Sequence, residues 1–126
     1  MQITNTILMV RPVNFRMNEQ TAVNNYFQED LHLRNSVINR QAQEEFDAFV
    51  EKLREAGVEV IVVEDRVETD TPDSIFPNNW VSFHENGSVV VYPMFAVNRR
   101  KERRSDIFDI LEEKGFVIDQ IIDYTS

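Results

Sequence analysis

The chain has 126 residues, 42% of them hydrophobic and 10% aromatic, which suits one globular domain with a modest core. Its net charge of -9 argues against general nucleic-acid binding, because neutralising phosphates needs a surplus of Lys and Arg. Cysteine is absent, which excludes disulfides, thiolate metal sites and a cysteine nucleophile within these residues; no apolar run or leader pattern points to a membrane, and a cytoplasmic location is expected.

Thr6 to Val10 is a short apolar run stopped by Arg11 and Pro12, and reads as a strand. Asn18 is a candidate N-cap for a helix through Ala22, Val23, Tyr26 and Phe27, although Asn24 and Asn25 weaken it. Val37, Ile38, Ala42, Phe46, Phe49, Val50 and Leu53 recur at steps of three and four, predicting a second helix with one apolar stripe. Gly57 supplies its stop. Val58 to Val63 is almost continuously β-branched and predicts a strand buried on both faces. Glu64 to Asp73 is acidic, but it lacks the alternating ligands, central Gly and terminal Glu of a calcium loop, so a solvated loop is expected.

Val81 to Phe83, the turn Glu85-Asn86-Gly87 and Ser88 to Tyr92 predict a β-hairpin. A helix starting at Asn98 or Ser105 should run to Lys114 and stop at Gly115, with Phe116-Val117-Ile118 and Ile121-Ile122 as the last strand. Helix followed by strand thus occurs twice at comparable spacing, the second time after a hairpin, which suggests an α/β fold with a ββαβ repeat.

Two segments carry chemistry. Residues 71–80 (TPDSIFPNNW) set the carboxylate of Asp73 and the amides of Asn78 and Asn79 around Phe76 and Trp80 where a loop enters the hairpin. The competing reading makes these three Asx residues turn formers around Pro72 and Pro77. Arg99, Arg100, Lys101, Arg103 and Arg104 place five cations within six residues. They read as a solvated face, yet cations in a first helical turn oppose the helix dipole and need a compensating anion, from Glu residues or from a ligand carboxylate.

Three segments together, Ile7 to Pro12 with Phe15 and Asn18, Asp73 to Trp80, and Tyr92 to Phe95 running into Asn98 to Arg104, resemble the amidinotransferase or pentein superfamily of guanidine-modifying enzymes. Citrulline-utilisation-type hydrolases are the branch they resemble most. The resemblance covers nearly all of the chain in order. It implies an α/β propeller of ββαβ modules, of which about two are present, so residues 1–126 are expected to be the N-terminal portion of one amidinotransferase-like domain.

The family's mechanism, attack by a Cys with proton transfer by a His, implies that no catalytic residue lies in this chain. His84 does not match the family's catalytic His motif and reads as structural, and His32 has no acid or nucleophile beside it. The resemblance makes Asp73 a substrate contact. Asn78 and Asn79 stand where relatives acting on charged guanidines carry acids, and an amide offers donors and an acceptor without charge. That exchange favours a neutral ureido substrate such as citrulline, with arginine-like guanidines second.

Asn14 and Asn18 would face the central channel, Arg99 or Arg100 would bind the substrate carboxylate, and Phe76 with Trp80 would wall the pocket or simply pack in the core. No cofactor or metal is implied. A propeller cut after two modules should self-associate through uncovered strands. The alternative to an enzyme portion is a free-standing, non-catalytic α/β binding or assembly module.

Overall fold

A computed structural model describes residues 3–18 and 31–125, with side chains from residue 34 onward in the first helix. The helix expected after Asn18 and the His32 side chain lie outside the described residues. Strands β1 (Thr6–Arg11) and β2 (Glu59–Glu64) pair in parallel, Thr6 beside Glu59 and Arg11 beside Glu64. Parallel neighbours need a crossover, and this one contains helix α1 (Leu31–Glu55).

Helix α1 buries Phe46 and Val50 against Val60, with Ile7, Met9 and Leu53 around them. Its apolar stripe is narrower than the periodicity predicts, since Val37, Ile38 and Phe49 are exposed. A two-stranded sheet spans only about 5 Å between strand axes, too little to cover the whole face of a long helix. Strand β2 is covered on both sides as expected, with Val60 toward α1 and Ile61 and Val63 in the other core, except that Val62 is exposed.

The second sheet has the order β3 (Val81–Phe83), β4 (Ser88–Val91), β5 (Gln120–Asp123). Val81 lies opposite Val91 in the antiparallel hairpin, and Ser88 lies beside Gln120 in the parallel pair. The crossover from β4 to β5 holds two helices where the sequence predicted one, α2 (Val97–Arg100) and α3 (Asp106–Glu113). Ser105 precedes α3 but its side chain makes no capping bond. Hairpin, helix and parallel strand together form the ββαβ unit that the spacing suggested.

Phe116 to Ile118 is not a strand. The Phe116 N–H bonds back to the Leu111 carbonyl, and the Gly115 N–H to Glu112, so this stretch closes the helix first. Val58 and Gly57 close α1 onto Leu53 and Arg54 in the same way. Both ends have the double hydrogen bond of a helix terminated by a left-handed glycine, which is why each helix gives way so promptly to a strand.

The two sheets share one core. Trp80, 1% exposed, packs with Ile61 and Val63 from β2, Val81, Val89 and Val91 from the second sheet, and Ile107, Phe108 and Leu111 from α3. Its ring meets that of Phe108 at 6.4 Å between centroids and 50° between planes, a tilted aromatic contact. Trp80 is therefore core rather than pocket wall. Among the described residues no helix is long and apolar enough to cross a membrane.

Gly87 closes the hairpin with φ +84°, and its carbonyl accepts the Asp119 N–H at 2.8 Å, so the turn also anchors β5. A Cβ there would run into the Asp119 carboxylate, whereas one at Gly57 meets nothing within 4 Å. Gly87→Ala should cost about 1–3 kcal/mol and more than Gly57→Ala. Urea unfolding of the two variants decides it; equal midpoints would show that the Asp119 contact gives way freely.

Candidate functional site

The loop leaving β1 is held on both sides before it reaches the site. Arg11 grips Asp47 of α1 through Nε and Nη2 at 2.9 and 3.0 Å, and reaches Glu64 at 3.1 Å. The Asp47 hydrogen bonds raise the Arg11 guanidinium against its partial desolvation and hold the Asp47 carboxyl below the usual range. One helical turn apart on α1, the Gln43 amide donates to the Pro12 carbonyl and Asn39 Oδ1 accepts the Phe15 N–H. On the other side Asn14 donates to the Val67 carbonyl, and Arg16 pairs with Asp70 at 2.7 Å. This clamp delivers Asn18 inward.

Asn18 is buried and meets two other segments. Its Nδ2 donates to Asp73 Oδ2 at 2.8 Å and to Asn98 Oδ1 at 3.0 Å, and Asn98 Nδ2 donates back to Asn18 Oδ1 at 2.8 Å. Arg99 approaches the same Asp73 oxygen at 3.8 Å while its Nε and Nη2 bind Glu102 at 2.9 and 3.1 Å. Arg99 Nη2 also reaches the carbonyls of Asp73 and Phe76 at 3.5 and 3.4 Å. Asp73 Oδ1 accepts no hydrogen bond from the described residues, and the side chain retains 20% exposure. One oxygen is fixed and the other is available.

The loop 64–73 is not simply solvated. Asp65 is buried and its carboxylate accepts the Thr71 hydroxyl at 2.8 Å, while Asp70 turns outward at φ 49° to meet Arg16. Burial pushes the Glu102 carboxyl up, helped by the charges of Asp73 and Asp65, and the Arg99 hydrogen bond and charge only partly oppose it. Burial would lower the Arg99 guanidinium, but the Glu102 hydrogen bond and the charges of Glu102 and Asp73 outweigh it and raise it. Among the described residues no three His, Asp or Glu side chains gather as a metal site would require.

The sequence-derived candidates divide. Asp73, Asn18 and Arg99 come together, and Asn14 supports them from the loop. Asn78 and Asn79 are exposed on the 3-10 turn Pro77–Asn79, which closes by backbone bonds from Asn79 to Phe76 and from Trp80 to Pro77. Their side chains do not cap that turn. Phe76 stands half out of the surface at 46% exposure. Arg100 is exposed and donates to the carbonyls of Met94 and Phe95, separate from the Asp73 cluster. His84 is exposed, its Nε2 2.9 Å from Ser82 Oγ, a contact within its own hairpin.

The sequence reading missed Asn98 and Glu102 as site residues. The three-residue step from Arg99 to Glu102 was the available signal for one, whereas a bond between residues 18 and 98 leaves no local trace. A cavity of about 1080 Å³ opens elsewhere, lined by Ile7, Met9, Ile75, Asn78, Ser82 and Val117 among others, but not by Asp73. Its walls are mainly apolar, and the convergent polar groups lie outside it.

Glu102 holds its proton more tightly in the folded protein than in the unfolded chain. Its stabilising contribution is therefore complete below the ordinary Glu range, about pH 4.3, and is lost as pH rises through the raised folded value. Asp106, lowered by its Arg104 hydrogen bond, runs oppositely and loses its contribution as pH falls. Glu102→Gln removes the first term, so the stability gap between wild type and variant should narrow as pH rises from about 4 to 7. Urea midpoints across that range test the sign; a widening gap would mean that the Arg99 pairing outweighs burial.

No curated protein and no solved structure matched the chain. A family model described as N,N dimethylarginine dimethylhydrolase, eukaryotic, matches residues 11–126, which include every member of the Asp73 cluster. The superfamily expected from the motifs is the one found, through a model of its dimethylarginine dimethylhydrolase branch. The chain belongs to the eukaryotic N,N dimethylarginine dimethylhydrolase family of the amidinotransferase, or pentein, superfamily.

Proposed function

We propose that the Asp73 cluster binds the guanidino group of an arginine derivative, methylated as in the family's name, for hydrolysis of its C–N bond. The observation that carries this reading is the half-held carboxylate of Asp73, with Oδ2 taken by Asn18 and Oδ1 open. Charge supports it. Among the described residues, Glu102 feels the carboxylates of Asp73 and Asp65 and the guanidinium of Arg99, a balance that favours a cation over a neutral group. Phe76 offers an exposed ring beside Asp73, and Arg100, which uses only Nε and Nη2 on backbone carbonyls, keeps donors for the substrate carboxylate.

Hydrolysis of a dimethylated guanidino carbon exchanges dimethylamine for a water oxygen and leaves a ureido group. The neutral, donor-and-acceptor amides of Asn78 and Asn79 suit that ureido group, which is the specific ground for citrulline as the second reading, ligand as well as product. The nucleophilic Cys and the proton-transferring His belong to polypeptide outside this sequence. Residues 1–126 are then the N-terminal portion of a pentein propeller, with β3, β4, α3 and β5 as one of its modules. Uncovered strands of that portion would then favour self-association.

The full-length protein should release dimethylamine from N,N-dimethylarginine, and these 126 residues alone should not. Asp73→Asn should lower kcat/KM roughly 10- to 100-fold, the scale of a charged hydrogen bond, with Tm little changed. Faster turnover of citrulline than of dimethylarginine would favour the second reading. A full-length protein that neither binds nor hydrolyses either compound would leave the binding or assembly module standing.

A further inference from the structure

Asp73 is oriented from two directions by one short segment. Helix α2 and the turn after it place Asn98, Arg99 and Glu102 within five residues. Asn98 and Glu102 are both buried, and neither touches Asp73 by a hydrogen bond of its own.

We propose that Asn98 and Glu102 are positioning residues for substrate binding, Asn98 acting through Asn18 and Glu102 through Arg99, so that Asp73 keeps one oxygen fixed and the other turned to the guanidinium. The inference rests on the proposed function of the Asp73 cluster. The amide pair of Asn18 and Asn98 is reciprocal, which fixes the rotation of the Asn18 amide and aims its NH₂ at Asp73 Oδ2. A lone amide could turn its oxygen to the carboxylate and repel it.

Glu102 does a second job. Its side chain is 1% exposed and takes both Nε and Nη2 of Arg99, which leaves Arg99 3.8 Å from Asp73, near enough to orient it and too far for a full ion pair. Among the described residues the charged groups around Glu102 are Arg99, Asp73 and Asp65, so it is the counter-ion that keeps Arg99 from closing onto Asp73. Without its charge, Arg99 would pair with Asp73 and compete with a cationic substrate. A neutral ligand would feel no such competition.

That difference in ligand charge separates positioning from a merely structural role. In the full-length protein, Glu102→Gln should raise KM for N,N-dimethylarginine about tenfold, the worth of one charge-assisted hydrogen bond, with kcat within about twofold and the Kd of citrulline nearly unchanged. Asn98→Ala should raise KM for dimethylarginine too, and serves if Glu102→Gln fails to fold. Equal losses for both ligands, or no loss for dimethylarginine in either variant, would overturn the inference. Wild-type protein that does not bind dimethylarginine would instead overturn the function on which it rests, and the inference with it.

Discussion

A carboxylate largely enclosed by the fold draws partners from elsewhere in the chain, and the polar architecture around Asp73, 20% exposed, follows from that need. Its Oδ2 draws Asn18 from the β1 exit loop, and Asn18 draws Asn98 from α2, a pairing across 80 residues. Unpaired, each buried amide or carboxylate would cost about 1–3 kcal/mol, more where charged. Three segments are therefore locked together through the buried amides of Asn18 and Asn98. Of the two helix starts the sequence offered, Ser105 is the one that precedes the long helix α3, and Asn98 lies in the separate short helix α2. Within α2 and the turn after it, Asn98 and Glu102 are buried, and Arg99 between them turns to Glu102.

The apolar core supplies the rigidity on which this network rests. Trp80 follows the 3-10 turn directly and is sealed among residues of both sheets and α3, so the loop carrying Asp73 is anchored at its end by the largest fully buried side chain among the described residues. Its other end is fixed by Thr71, which is fully buried and donates to Asp65. Between those anchors the loop can present Phe76, Asn78 and Asn79 at the surface without losing its shape.

Local features were legible in the sequence. Glycines after each helix, the Glu85-Asn86-Gly87 turn and the β-branched run of β2 each depend on a few neighbouring residues, and each appears where the pattern put it. Phe116 to Ile118 misled because an apolar triplet after a helix looks like a strand, while here Phe116 closes the helix end and Ile118 packs on the core. In the site, Asp73 was visible within the polar loop that enters the hairpin, and Asn18 as a candidate N-cap and a position that the family resemblance placed toward the channel. Asn98 was not, because its partner Asn18 lies 80 residues away, whereas the pairing of Glu102 with Arg99 three residues earlier was a local signal left unread. The buried Asp65 was hidden inside an acidic run whose exposed members, Glu68 and Asp70, gave the run its solvated character.

The basic segment shows how a charge run can lose its collective meaning on folding. Arg99 turns to Glu102, Arg100 to the carbonyls of Met94 and Phe95, Arg103 to the carbonyl of Arg100, and Arg104 to Asp106 and the carbonyl of Glu64. What the sequence presents as a patch is a set of separate braces, each tying α2 or the start of α3 to a loop. A patch of that density would attract phosphates and repel guanidinium. Dispersed into separate braces, the cations no longer form one face: Arg99 and Arg104 are matched by carboxylates, while Arg100 and Arg103 rest on backbone carbonyls.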